Sequence, residues 1–148
     1  MEKKTEIVEN FKKAITSTIK SIIGDQNIEV TFGNEPNKKN DKTINLPSLK
    51  SINNIDDYIK TRGMADSEAL KFRCSDLNIY NSFEPQGSMS KLLYAVAEKV
   101  RYENIGSTYF KGVKENLNNL YKIKNKIKIE HKNNCLLYTS DAADDVRG

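Results

Sequence analysis

Thr61–Asp76 reads TRGMADSEALKFRCSD and Tyr94–Ser107 reads YAVAEKVRYENIGS. Around the first, Ile55, Ile59, Ala65, Ala69 and Phe72 recur at steps of three, four or six, with Arg62, Asp66, Lys71 and Arg73 between them. That is the period of an amphipathic helix. In the second, Leu93, Val96, Ala97 and Val100 form an apolar stripe, while Glu98, Arg101 and Glu103 fall on other faces. Gly63 is expected to delay the first helix and Gly106 to stop the second. Two central helices set the expected class: α+β and predominantly helical, with about four helices and a small β-hairpin.

The flanks complete that expectation. Phe11, Ala14, Ile15, Thr18, Ile19 and Ile22 give a helical stripe from about Thr5 to Ile23 that stops at Gly24. Ile28, Val30 and Phe32 alternate as a strand. Thr43–Leu46 is expected to pair with it as a hairpin across the polar loop Gly33–Asp41, before Pro47 ends the ladder. Phe83–Ser88, FEPQGS, reads as a turn between the central helices, and Val113, Leu117, Leu120 and Tyr121 open a last helix. There is no internal repeat.

A chain of 148 residues, 37% hydrophobic and 30% charged, fits one soluble domain of modest core. No apolar run is long enough to span a bilayer, and Met1–Lys4 lacks the apolar segment of a signal peptide. A cytoplasmic location without membrane contact is expected. Cys135–Asp144, CLLYTSDAAD, is what TGT CTC TTA TAC ACA TCT GAC GCT GCC GAC encodes, a transposase-type sequencing-library adaptor read in one frame. Residues 135–148 are therefore expected to be an adaptor-derived, non-native tail, and residues 1–134 a domain of a longer protein. Without the tail's three aspartates and one arginine the formal charge rises from +4 to +6. Cys74 is then the one cysteine, which excludes an internal disulfide and a cysteine zinc cluster. With the single histidine, His131, in a distant polar segment, Cys74 reads as a packed residue rather than a nucleophile.

The basic balance invites a nucleic-acid reading, most of all at Lys122–Lys132, KIKNKIKIEHK. Yet four of the 24 basic residues are arginine and the rest lysine, as AT-rich codon usage produces without any binding role. The run lacks interleaved aromatics for base stacking and is expected to be a solvated helix face or linker, with no nucleic-acid partner. A basic nucleic-acid module is the alternative, and steep salt dependence would reveal it. Against that lysine bias Arg62, Arg73 and Arg101 stand out, since a guanidinium holds a carboxylate bidentately where an ammonium cannot. Arg62 and Arg101 are expected in buried or half-buried pairs with Asp66, Glu98 or Glu103. Phosphate-cradling, dinucleotide and nucleophile-elbow motifs are absent, as is a D-x-S-x-S metal loop.

The segments FKKAITSTIKSIIGD, IEVTF, the Leu-Pro of NLP, TRGMADSEALKFRCSD, EPQG, YAVAEKVRYENIGS and GVKENL follow one another between about Phe11 and Tyr121. Over that span, about three quarters of the chain, the sequence resembles the N-terminal region of the CobT subunits of ATP-dependent aerobic cobaltochelatases. The family often carries a histidine where Ser75 precedes Asp76 and another near Tyr80. The resemblance implies a role in inserting cobalt into hydrogenobyrinic acid a,c-diamide. The implied partners are an AAA+ ATPase of the CobS type and a large corrin-binding subunit of the CobN type, with homo-oligomers possible. ATP, Mg and cobalt would be used by the whole complex and no cofactor by this fragment, which would be a noncatalytic assembly domain. The acidic linker and von Willebrand A-type domain of the family are not in this sequence.

A fainter resemblance is to gluzincin metallopeptidases. Ser67-Glu-Ala-Leu-Lys71 stands where H-E-x-x-H would be, and Glu98-Lys-Val-Arg-Tyr-Glu103 nearly matches their later E-D-x-R-x-E. The general-base position, Glu68, and the third-ligand position, Glu98, survive. Both histidines are replaced, so zinc binding should be lost. This implies a degenerate zincin-like scaffold in which the Lys71 ammonium balances Glu98. The alternatives are unrelated surface charges or, functionally, a metallopeptidase-like domain. No catalytic, cofactor or metal residue is expected; Arg62, Asp66, Glu68, Lys71, Arg73, Glu98, Arg101 and Glu103 are structural or interface candidates.

Overall fold

The computed structural model describes residues 2–33 and 41–147, with side chains as far as residue 133. Helix α1, Glu2–Ile23, turns Val8, Ile15, Ile19 and Ile22 inward at helical spacing and ends before Gly24. Its apolar face packs on α2, and Phe11 meets the Tyr58 ring edge-on at 4.8 Å between centroids.

Strands β1, Glu29–Phe32, and β2, Thr43–Leu46, form the sheet, but they run parallel rather than as the expected hairpin. Val30 lies opposite Ile44 and Phe32 opposite Leu46, so these four share one face, while the Thr31 hydroxyl donates to Asn45 on the other at 3.1 Å. Residue alternation specifies which face is apolar and is the same for either strand direction. Direction depends on where the connection returns. Residues 34–40, most of the expected loop, lie outside the described residues. The chain re-enters beside the start of β1, where the Glu29 amide donates to the Lys42 carbonyl at 2.9 Å.

Helix α2, Ile55–Cys74, starts at an Asn54 cap whose side chain accepts from the Asp57 amide, while Asp57 accepts in turn from the Asn53 amide. It runs unbroken through Gly63, which does not delay it. Cys74 ends α2, and Asp76 then caps a short helix, α3, Leu77–Ser82, that the sequence reading omitted; its carboxylate accepts from the Asn78 and Ile79 amides. After the 83–87 turn come α4, Ser88–Tyr109, and α5, Lys111–Arg147, so the described residues form five helices, the short α3 in addition to the expected four or so.

Gly106 does not stop α4 either. A Cβ on Gly106 would sit 2.1–2.7 Å from three side-chain carbons of Leu70, and one on Gly63 would sit 2.7 Å from Leu120 Cβ. Both glycines are points where helices cross closely: α2 against α4 at Gly106, and α2 against α5 at Gly63. The absence of a side chain, not a need to break the helix, accounts for them.

Helix α2 is therefore central, packed on α1, α4 and α5. Ala65 and Ala69 join Ile15, Ile19, Ile22, Ile28, Ile44 and Leu46 in the core. Gly63, Asp66, Ser67 and Leu70 make a second inward stripe at i, i+3, i+4 and i+7 toward α4 and α5. In α4 the expected stripe of Leu93, Val96, Ala97 and Val100 is exposed; the buried positions are Tyr102, Glu103 and Gly106. Helix α5 buries Val113, Leu117 and Leu120, as its sequence spacing implies. Its 125–133 stretch, most of the lysine-rich run, is a solvated helix face.

Candidate functional site

The two sequence blocks meet through polar groups, not through the apolar stripes read from them. Ser67 on α2 is 3% exposed and Glu103 on α4 is 7% exposed. The Ser67 hydroxyl donates to Glu103 Oε1 at 2.5 Å, and the Tyr121 hydroxyl from α5 donates to Oε2 at 2.5 Å. Both carboxylate oxygens thus have donors from other helices, which satisfies the charge that burial would otherwise penalise. Burial also pushes the Tyr102 hydroxyl up to about 12, with the neighbouring Ser67 side chain opposing. Tyr121 is pushed upward too, first by burial and then by its bond to Glu103.

One helical step away, Asp66 is 1% exposed. Its Oδ2 accepts from Asn116 Nδ2 on α5 at 2.6 Å, and its Oδ1 lies 3.9 Å from Arg62 Nε. The second contact is an ion pair without a hydrogen bond, and both of those atoms are buried without a hydrogen-bond partner. Burial pushes the Asp66 carboxyl upward, and Asn116 and Arg62 draw it partly back.

At the outer edge Arg101 holds Glu98 bidentately: Nε donates to Oε2 at 2.8 Å and Nη2 to Oε1 at 2.6 Å. The same Nη2 donates to the Cys74 carbonyl, and the Ser75 hydroxyl donates to Glu98 Oε1, so this group fastens the end of α2 to α4. The guanidinium, chiefly, holds the Glu98 carboxyl down at about 2, with Ser75 assisting against burial. Both anticipated arginine pairs are therefore present, Arg62 with Asp66 and Arg101 with Glu98. Glu103 binds hydroxyls instead. Arg73 donates to the Ile22 carbonyl and stands 5.5 Å over the Phe110 ring, tying α2 to α1 and to the α4–α5 junction.

Glu68 and Lys71 stay apart from these clusters, on a shallow groove of about 600 Å³ shared with Phe72, Ser75 and β2. The cation on Glu98 is Arg101, not Lys71: α2 and α4 do pack, but the guanidinium reaches the carboxylate from a position three residues along the same helix. At the two histidine positions of a zinc helix stand Ser67, buried on Glu103, and Lys71, exposed. These residues do not fit a zinc ion, and no group of three or more metal-ligating side chains occurs among the described residues.

Ser67, Asn116, Tyr102 and Tyr121 were missed as members of the site. The signal for Ser67 was its place beside Asp66 between Gly63 and Leu70, an inward i, i+3, i+4, i+7 set. The α5 partners had no signal, because their pairings span 50 residues from Asp66 to Asn116 and 18 from Glu103 to Tyr121.

The family model described as cobalamin biosynthesis protein CobT matches residues 5–135. The chain belongs to the CobT family. Membership ties it to cobalamin biosynthesis, and the CobT match takes in every residue of the three polar clusters. No solved structure matches the chain. Among the described residues, no helix of this CobT-family chain is long and apolar enough to cross a membrane.

Proposed function

We propose that this chain is a noncatalytic assembly domain of an ATP-dependent cobaltochelatase, working with an AAA+ ATPase subunit and a large corrin-binding subunit. The family match over residues 5–135 carries the reading. The interior chemistry supports it: Glu103, Asp66 and Glu98 are each engaged by side chains of this chain, as residues that pin helices are, leaving the outer surfaces for partners. In this role ATP hydrolysis and delivery of the substrate cobalt ion to the corrin lie on the other subunits, and the chain keeps them in register.

Copurification of the tagged chain with the AAA+ subunit, followed by ATPase assays with and without it, tests the proposal. The expected result is a stable complex and no ATP hydrolysis by the chain alone. Failure to associate, or ATP hydrolysis by the isolated chain, would refute it.

A further inference from the structure

Helix α4 is built inside out. Its inward side carries Tyr102, Glu103 and Gly106, while Met89, Leu92, Leu93, Val96 and Val100 are 52–66% exposed. Met89, Leu93, Val96 and Val100 advance by four, three and four residues, the spacing of a seam that receives another helix. Beside the seam a groove of about 540 Å³ runs between α4 and α5, floored by Val96, Val100, Leu117 and Tyr121. Its rim carries Lys99 from α4 and Lys124 and Lys128 from α5. None of the three makes an ion pair among the described residues. Burial and the repulsion of Lys99 and Lys128 depress the Lys124 ammonium, with Glu103 opposing. Lys124 also stands 5.7 Å over the Tyr121 ring, so apolar seam and a positive rim without ion pairs lie side by side.

We propose that this face docks an amphipathic helix of a partner protein, its apolar stripe on the α4 seam and its acidic edge along Lys99, Lys124 and Lys128. A second copy of the chain fits less well. A symmetric pairing would set the lysine rims near one another, whereas carboxylates would neutralise them. The surface is formed by this chain alone and holds whatever complex it serves.

The test uses the full chain and a fluorescein-labelled designed helix of about 20 residues, with a leucine stripe flanked by glutamates, read by fluorescence anisotropy. The acidic peptide is expected to bind, and Leu93→Ser with Val96→Ser to weaken it at least tenfold. Lys99→Glu with Lys128→Glu should weaken it similarly and transfer preference to a peptide with lysines in place of the glutamates. None of the four side chains is buried, so unchanged circular dichroism is expected for both variants. Equal binding of acidic and basic peptides, or affinity indifferent to the seam variant, overturns the proposal. So does a dimer in sedimentation velocity that the seam variant dissolves, which would make a second copy the occupant. Seam-dependent capture by phosphatidylglycerol vesicles without peptide binding overturns it as well.

Discussion

Replacing Gly106 with alanine adds one methyl group where α2 and α4 cross, tighter than the crossing at Gly63. The new Cβ would meet Leu70 Cδ2 at 2.1 Å, Cδ1 at 2.4 Å and Cγ at 2.7 Å. Leu70 is fully buried, and its Cγ is not the free end of a flexible chain, so α2 and α4 must separate or Leu70 must leave its rotamer. Overpacking of this kind costs about 1–3 kcal/mol, and three contacts below 3 Å place Gly106→Ala at the upper end. Alanine's better helix propensity returns about 1 kcal/mol. The expected net loss is about 2 kcal/mol, or roughly 4–8 °C in Tm for a domain of this size. Urea denaturation followed at 222 nm measures it. Gly112→Ala, where an added Cβ meets nothing within 4 Å, is the control and should be neutral or slightly stabilising. Leu70→Ala alone costs about 2–5 kcal/mol through its cavity, and the double variant should lose less than the sum because the new methyl occupies part of that space. If Gly106→Ala stabilises the protein as the control does, the close crossing is wrong.

Tyr121→Phe removes one of the two hydroxyl donors to the buried Glu103 and should cost about 1.5–3 kcal/mol by urea denaturation; a loss below about 0.5 kcal/mol would contradict the network. Glu98, held down at about 2, contributes stability that is present above its ordinary value of 4.5 and lost as pH falls from there toward 2. Because Arg101 is 46% exposed, that contribution is discounted for solvent to about 1 kcal/mol, and Glu98→Gln should flatten the pH 2–5 limb of stability by that amount. Asp66 runs the other way: its raised carboxyl favours folding when protonated and costs stability once ionised, so Asp66→Asn should raise stability at pH 7 relative to pH 3, measured by paired denaturation curves at the two values.

Helix existence was legible because α1 and α5 each present one apolar stripe to one neighbouring layer, the case in which period maps directly to burial. Asn54 and Asp76 could be read as caps, and Asp76 was the overlooked mark of α3. The stripe on α4 was read correctly as a stripe, and the structure turns it outward. Amphipathic spacing says that a helix has two sides and nothing about which side the rest of the chain occupies. Helix α2, packed on three other helices, has no single stripe; Gly63 was read as delaying it and Ser67 as a replaced zinc ligand, whereas both face inward.

The arginines tell the same story at the site. Their scarcity in a lysine-rich chain pointed to bidentate or buried pairing, and short spacing brought Arg62 to Asp66 and Arg101 to Glu98 within single helical turns. The donors on Glu103 and Asp66 come from α2 and α5, and the direction of β2 depends on the return of a connection. The sequence by itself determined the four long helices, the arginine pairs and the family, since local periodicity, side-chain chemistry and ordered motifs are properties of neighbours along the chain. Only the tertiary structure decided that Gly63 and Gly106 are crossing points, that the α4 seam faces outward and that Ser67, Glu103 and Tyr121 meet, because contacts across tens of residues leave no period to read.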